Sequence, residues 1–288
     1  MSNVLLHLSY FQVVFQILEC HDILLANAPQ ASRQHVVQII HNLLKISCDA
    51  KVQIKIELFQ IMKAVMMAAS PGSVIDVLLP EIEHRNARMR EDVINFIIFA
   101  LLTFPSKEFD FTEMCQAIVP SLVDSKRRVR QAGLECIAII HQCIGKKNEK
   151  LIWDCIGEME KGLYDEEEEI LEATHYRLSR KVLPRITEEG YIEYGLQIPH
   201  NYQTRAANNN TSRSRSKSKN SLNNIKTDLG PDVNWILRGS GSVSRGSAGS
   251  LNHSLGVNGA SGKTFFVKLY VFRFDGKNSV KCYRANLW

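Results

Sequence analysis

Apolar residues return at positions i, i+3, i+4 and i+7 along three long stretches: Ile54, Leu58, Ile61 and Val65; Val93, Phe96, Ile97, Ala100 and Leu101; Leu134, Ile137, Ile140 and Ile144. On a helix with 3.6 residues per turn this spacing makes one apolar stripe, so each stretch predicts a helix that packs a core. A polar turn precedes each stretch, and a shorter apolar helix precedes the turn. Two of these blocks, LLPEIEHRNARMREDV and IVPSLVDSKRRVRQAG, superpose without a gap, Pro80 on Pro120 and Arg90 on Arg130, an offset of 40. Extended outward, the pattern picks out Val13, Val52, Met89, Val129 and Ile170, at intervals of 39, 37, 40 and 41 residues. Helix pairs recurring at about 40 residues mark HEAT or armadillo arrays, in which a pair cannot bury its apolar face alone and stacks on its neighbours. The predicted fold class is therefore all-α, an α-solenoid of HEAT repeats.

Stacking lines up the turns within successive pairs along one edge. That edge holds Tyr10, Phe11 and Gln12; Asp49, Ala50 and Lys51; His84, Arg85, Asn86 and Arg88; Ser125, Lys126, Arg127 and Arg128; then the acidic run Asp165 to Glu169. The formal charge of +5 conceals an asymmetry: residues 1–199 carry 21 Lys and Arg against 27 Asp and Glu, residues 200–288 carry 14 against 3. A net-acidic body that gathers cations on its central turns suits a large acidic protein surface rather than a small substrate. Arg90, Arg130 and Asp124 read as braces between neighbouring repeats. Arg85, Arg88, Lys126, Arg127 and Arg128 read as contact residues, with a merely solvated polar turn as the plain alternative.

Enzymatic chemistry finds no constellation. GASGKT, residues 259–264, lacks the glycine that a phosphate-binding loop needs at position 257, where Val257 stands, and the following segment alternates like a strand instead of opening a helix. Seven cysteines lie scattered without a CxxC pair, as expected of a reduced, intracellular protein. Cys136, His141 and Cys143 share one predicted helix and read as buried thiols and a surface histidine rather than metal ligands. No cofactor, no metal and no catalysis are expected. No membrane insertion is expected either, because no uninterrupted apolar run approaches the about 18 residues of a spanning helix.

After Pro199 the composition shifts to Asn, Ser, Gly and Arg. NYQTRAANNNTSRSRSKSKNSLNN cannot bury enough apolar surface to fold, so 200–262 is expected to be a disordered basic linker. Residues 263–288 contain the alternating TFFVKLYVFRF, fit neither solenoid nor linker, and stand as an unassigned tail, a candidate for non-native read-through.

The runs IEHRNARMREDVINFIIFALLTFPSKEFD, IVPSLVDSKRRVRQAGLECIAII and SRKVLPRITEEGYIEYGLQIP resemble a TOG domain of the crescerin family, the TOG-array regulators of axonemal microtubules. CLASP-type TOG domains are more distant relatives. The resemblance covers residues 1–199 and implies a paddle of HEAT repeats whose intra-repeat turns bind tubulin, within a longer protein of cilia. Implied partners are tubulin and microtubules, with other ciliary proteins; the implied address is cytoplasm, cytoskeleton and axoneme. The family's tubulin-facing turns fall on Phe11 and Gln12, Ala50 and Lys51, Arg85 and Arg88, and Lys126, Arg127 and Arg128. Two departures accompany the match. The first of the six HEAT units of a TOG domain, with the turn tryptophan that several relatives carry, is expected to be missing, and the fifth turn is acidic where many tubulin binders place a basic residue. Two other readings stand beside the tubulin-binding module: a HEAT scaffold for another protein partner, and an RNA-associated protein acting through the SRSRSKSK tail, nucleic acid being the less favoured.

Overall fold

The computed structural model describes residues 34–48, 52–160, 167–198 and 229–247, four isolated positions before them, and the strand backbones 269–275 and 279–285. Phe11, Gln12, Ala50 and Lys51, like Asp165 and Glu166, lie outside the described residues.

Helices alternate short and long. α1 (Val36–Ser47) is followed by α2 (Val52–Ala69), and α3 (Pro71–Leu78), prolonged by the 3₁₀ turn Leu79–Glu83, by α4 (Ala87–Thr103). α5 (Phe111–Ile118), prolonged by the 3₁₀ turn Val119–Val123, precedes α6 (Arg127–Ile144), and α7 (Lys150–Glu160) precedes α8 (Glu167–Ser179). The helix ends follow local chemistry. Ser70 caps α3 ahead of Pro71, whose missing N–H costs nothing in the first turn; Asn86 caps α4 by accepting from the Arg88 N–H; Asp110 caps α5 by accepting from Thr112 and Glu113. Gly145 ends α6 at φ +70°, a backbone state that other residues adopt only with strain.

The second helices form the inner layer. α4 packs along α6, and Phe59 of α2 sets its ring 4.7 Å from Phe96 and 5.1 Å from Phe99. Ile54, Leu58, Ile61, Val65, Val93, Phe96, Ile97, Ala100, Leu101, Leu134, Ile137 and Ile140 are all buried, as the periodicity predicts, whereas Ile144, the last residue of α6, is half-buried. Where α6 crosses the 3₁₀ turn after α5, Gly133 lies so near Ser121 that a Cβ would fall 2.2 Å from its hydroxyl. The side chains of Ser121 and Leu122 thus fill the space beside Gly133, and a larger residue there would have to displace them.

Past α8 the chain makes a small antiparallel hairpin, β1 (Arg185–Ile186) with β2 (Ile192–Glu193), and then lays Tyr194, Leu196 and Ile198 into the core. Glu135 of α6 anchors this segment. Wholly buried, it accepts from Arg177 Nε at 3.1 Å and Nη2 at 2.7 Å, and from the Gly195 and Leu196 N–H groups at 2.9 Å each, so its charge is paired and hydrogen-bonded.

Within the stretch expected as linker, residues 229–247 are folded against the solenoid. α9 (Pro231–Arg238) buries Asp232, Val233, Trp235 and Ile236, and the chain then runs extended across α6 to β2. Three apolar side chains in four residues supply enough buried surface to order a segment whose overall Ser/Gly composition argues otherwise. Residues 253–288 form a separate unit, in which β3 (Leu269–Asp275) pairs antiparallel with β4 (Ser279–Ala285), in keeping with the alternating sequence there. Among the described residues no single helix is long and apolar enough to cross a membrane.

Candidate protein-interaction edge

The turn between α3 and α4 is fastened by its own polar groups. Asn86 N–H donates to His84 Nδ1 at 3.1 Å, and Asn86 Oδ1 accepts from the Arg88 N–H at 3.0 Å. Arg90, one turn into α4, donates through Nη1 to His84 O at 2.7 Å. Its Nε and Nη2 fork onto Asp124 of the next repeat at 2.7 and 2.9 Å. Asp124 Oδ1 also accepts from the Lys126 N–H at 2.7 Å. A half-buried bidentate pair thus locks one turn to the next and fixes the spacing of the edge, the bracing role that the offset of 40 suggests. Arg85 and Arg88 stand exposed on that edge.

The turn between α5 and α6 repeats the device with another partner. Arg130 Nε donates to Asp124 O at 2.6 Å, as Arg90 does to His84 O. Its Nη1 donates to Trp235 O at 3.2 Å and the guanidinium lies 4.6 Å from the centre of the Trp235 ring. Trp235 in turn donates its indole N–H to Leu122 O at 2.8 Å.

The predicted contact residues of this turn come together, and each touches residues 237–242. Lys126 Nζ donates to Ser240 Oγ at 2.9 Å. Arg127 Nε donates to the Leu237 and Gly239 carbonyls, and Nη1 to Gly241 O at 3.3 Å. Arg128 divides, Nη1 donating to Glu91 at 2.9 Å and Nη2 to Ser242 Oγ at 2.8 Å. The backbones pair as well, Arg127 N–H to Ser240 O at 3.0 Å and Ser240 N–H to Ser125 O at 2.7 Å. Glu169, the described end of the acidic run, pairs with Arg238.

Beneath the edge lie two buried acids that the sequence pattern does not single out. Burial pushes the Glu91 and Asp92 carboxyls up from their ordinary values, against Arg128 and Lys55, which favour the charged forms; Lys55 Nζ is 2.6 Å from Asp92. Their sequence signal is distance: each acid and its cation are 37 residues apart, close to one repeat. Of the three residues weighed as metal ligands, Cys136 is wholly buried with its thiol pushed well up by burial, Cys143 is half-buried, and His141 Nε2 lies 3.3 Å from a Glu149 carboxylate oxygen.

Stacked helix pairs, braced turn to turn and carrying cations along one edge, define a HEAT-repeat solenoid of the TOG type. The chain belongs to the crescerin family of TOG domains. It is 35% identical over 199 residues to TOG array regulator of axonemal microtubules protein 1 of Mus musculus, covering 69% of this chain and 11% of that protein. Identity to the Homo sapiens protein of the same name is 36% over 191 residues, covering 66% and 11%. Crescerin-like protein che-12 of Caenorhabditis elegans is 28% identical over 197 residues, covering 67% and 15%. The match therefore spans about a tenth of the length of the mammalian relatives. Among solved structures, a crescerin TOG domain, from an array said to regulate microtubules in the primary cilium, superposes with TM-score 0.61 at 35% identity, covering 68% of this chain and 78% of that one. The MAST/Orbit N-terminal domain, at TM-score 0.51 and 14% identity over 60% and 74% of the two chains, shares the fold. No protein-family model matches the chain.

Proposed function

We propose that the chain is a non-enzymatic tubulin-binding module that regulates microtubules, as part of a cytoskeletal, ciliary protein. The observation that carries this reading is the braced edge: Arg85 and Arg88 exposed on one turn, tied through Arg90 and Asp124 to the turn of Lys126, Arg127 and Arg128, in a chain of the crescerin family. Phe11 and Gln12, with Ala50 and Lys51, extend the same edge in sequence. Rigid spacing of the turns selects a tubulin geometry, while the cations raise the rate of encounter with an acidic surface.

The test uses the full chain, wild type and Arg85→Glu/Arg88→Glu, in microtubule co-sedimentation and in gel filtration with free tubulin at low and physiological salt. Wild type is expected to bind in at least one assay, more tightly at low salt, and the charge reversal to lose binding with its helical circular dichroism unchanged. Equal binding by both proteins would remove the edge from the reading, and no binding by wild type would remove tubulin.

A further inference from the structure

The turn that carries the densest positive charge is already occupied by the chain itself. From this we infer that residues 239–242 form a gate over Lys126, Arg127 and Arg128, closed in the free protein and displaced when an acidic tubulin surface takes those cations. The inference rests on the tubulin reading above.

The contacts made by the gate are of an exchangeable kind. Lys126 and Arg127 meet only neutral acceptors there, the hydroxyl of Ser240 and the carbonyls of Gly239 and Gly241, and Arg128 meets the hydroxyl of Ser242; Arg127 also donates to Leu237 O of the anchored α9. Such bonds satisfy the donors but leave the charges of Lys126 and Arg127 uncancelled, while Arg128 is paired with Glu91. In the present bonds only the donor is charged; a carboxylate offered to the same donors adds the attraction of opposite charges, so an acidic partner replaces the gate at a gain.

The gate can open without unfolding what holds it. On its N-terminal side α9 is fixed by buried Trp235 and by wholly buried Asp232, which accepts from Arg180 Nε at 2.6 Å and Nη2 at 2.8 Å. On its C-terminal side Ser244 N–H donates to Gln131 Oε1 at 2.9 Å, and Ser247 and Ile192 exchange two hydrogen bonds, at 2.8 and 3.0 Å. Between the two anchors, Ser240, Gly241 and Ser242 are exposed, and Gly241 sits at φ +86°, in the left-handed region where glycine moves freely. Gly239 lies so close to the turn that a Cβ there would be 2.9 Å from the Arg127 nitrogen, so a closed gate leaves no room for a partner at that point.

Three versions of the 288-residue chain decide the matter: wild type, Ser240→Pro, which deletes the N–H that bonds Ser125 and opens the gate without changing charge, and Ser240→Asp/Ser242→Asp, which gives the gate carboxylates for Lys126 and Arg128. Affinity for free tubulin is read together with amide hydrogen exchange at Arg127 and Ser240. The expected result is several-fold tighter binding by the proline variant and about tenfold weaker binding by the aspartate variant, the scale of a charge-assisted hydrogen bond. In wild type, saturating tubulin should speed exchange at Ser240 while Ser244 stays protected. If the proline variant binds no better than wild type and Ser240 remains protected in the complex, the gate is overturned and the tubulin reading stands. If neither wild type nor the proline variant binds tubulin, both fall together.

Discussion

Arg90 and Arg130 hold the same place in successive repeats, yet they end on different partners. Both reach six residues back to a carbonyl of their own turn; Arg90 then forks onto the Asp124 carboxylate of the next repeat, and Arg130 meets the carbonyl and ring of Trp235, from a segment more than a hundred residues downstream. The difference shows two ways of closing a repeat unit. One is a brace inside the array, in which charge meets charge. The other brings in a cover from outside it, whose aromatic ring and backbone oxygen join in the holding.

Truncating the cover should cost most. Trp235→Ala empties a fully buried site and is expected to destabilise the chain by about 3–5 kcal/mol, read as a fall in the denaturant midpoint. Asp124→Ala removes the acceptors of Arg90 and of the Lys126 N–H, and about 2–3 kcal/mol is expected, because both sides of that pair are largely shielded from water. Should Asp124→Ala prove the more damaging, the array rather than its cover is the main hold on this end of the protein.

A gentler comparison exchanges one repeat for the other. Gln131 stands one period after Glu91, so Glu91→Gln makes the earlier repeat resemble the later one. Burial raises the Glu91 carboxyl above 4.5, so the folded protein holds that proton more tightly than the unfolded chain. Stability from this group is then fully present below pH 4.5 and is lost as pH rises through the raised value. Wild type should therefore gain stability relative to Glu91→Gln as the pH is lowered from neutrality, by about 1.4 kcal/mol for each unit by which the two states differ. Chemical denaturation of both proteins across that range measures it, and parallel pH profiles would refute it. Arg85→Ala, on the exposed edge, should shift stability by no more than about 0.5 kcal/mol by the same method.

The helical layers were legible because apolar spacing is a local property: Val93 to Leu101 announce a buried helix from nine residues alone. The brace could be read from the superposition of Pro80 on Pro120, since a repeated arginine beside a repeated turn implies a repeated structural need. α9 escaped because it is one short helix in a Ser/Gly-rich stretch, although Gly230, Pro231 and Asp232 mark its start and Val233, Trp235 and Ile236 its apolar side. What stabilises it lies at Leu122, Arg130 and Arg180, far away in sequence, so no window of composition registers it. The buried acids were hidden for a related reason. A charged residue in an apolar helix carries no local sign of whether its partner lies in water or one repeat away.

Lys55 with Asp92, Glu91 with Arg128, and Glu135 with Arg177 are 37, 37 and 42 residues apart. Mutational drift in this family is then not free to act on one repeat at a time. A lineage that lost the acid at 91 would be under pressure to relinquish the base at 128, and one that lost the acid at 135 would strand the base at 177. Correlated substitutions should accordingly pile up at a separation of about forty positions, a trace of the stacking interface that ancestry would preserve even where the residues themselves have changed beyond recognition.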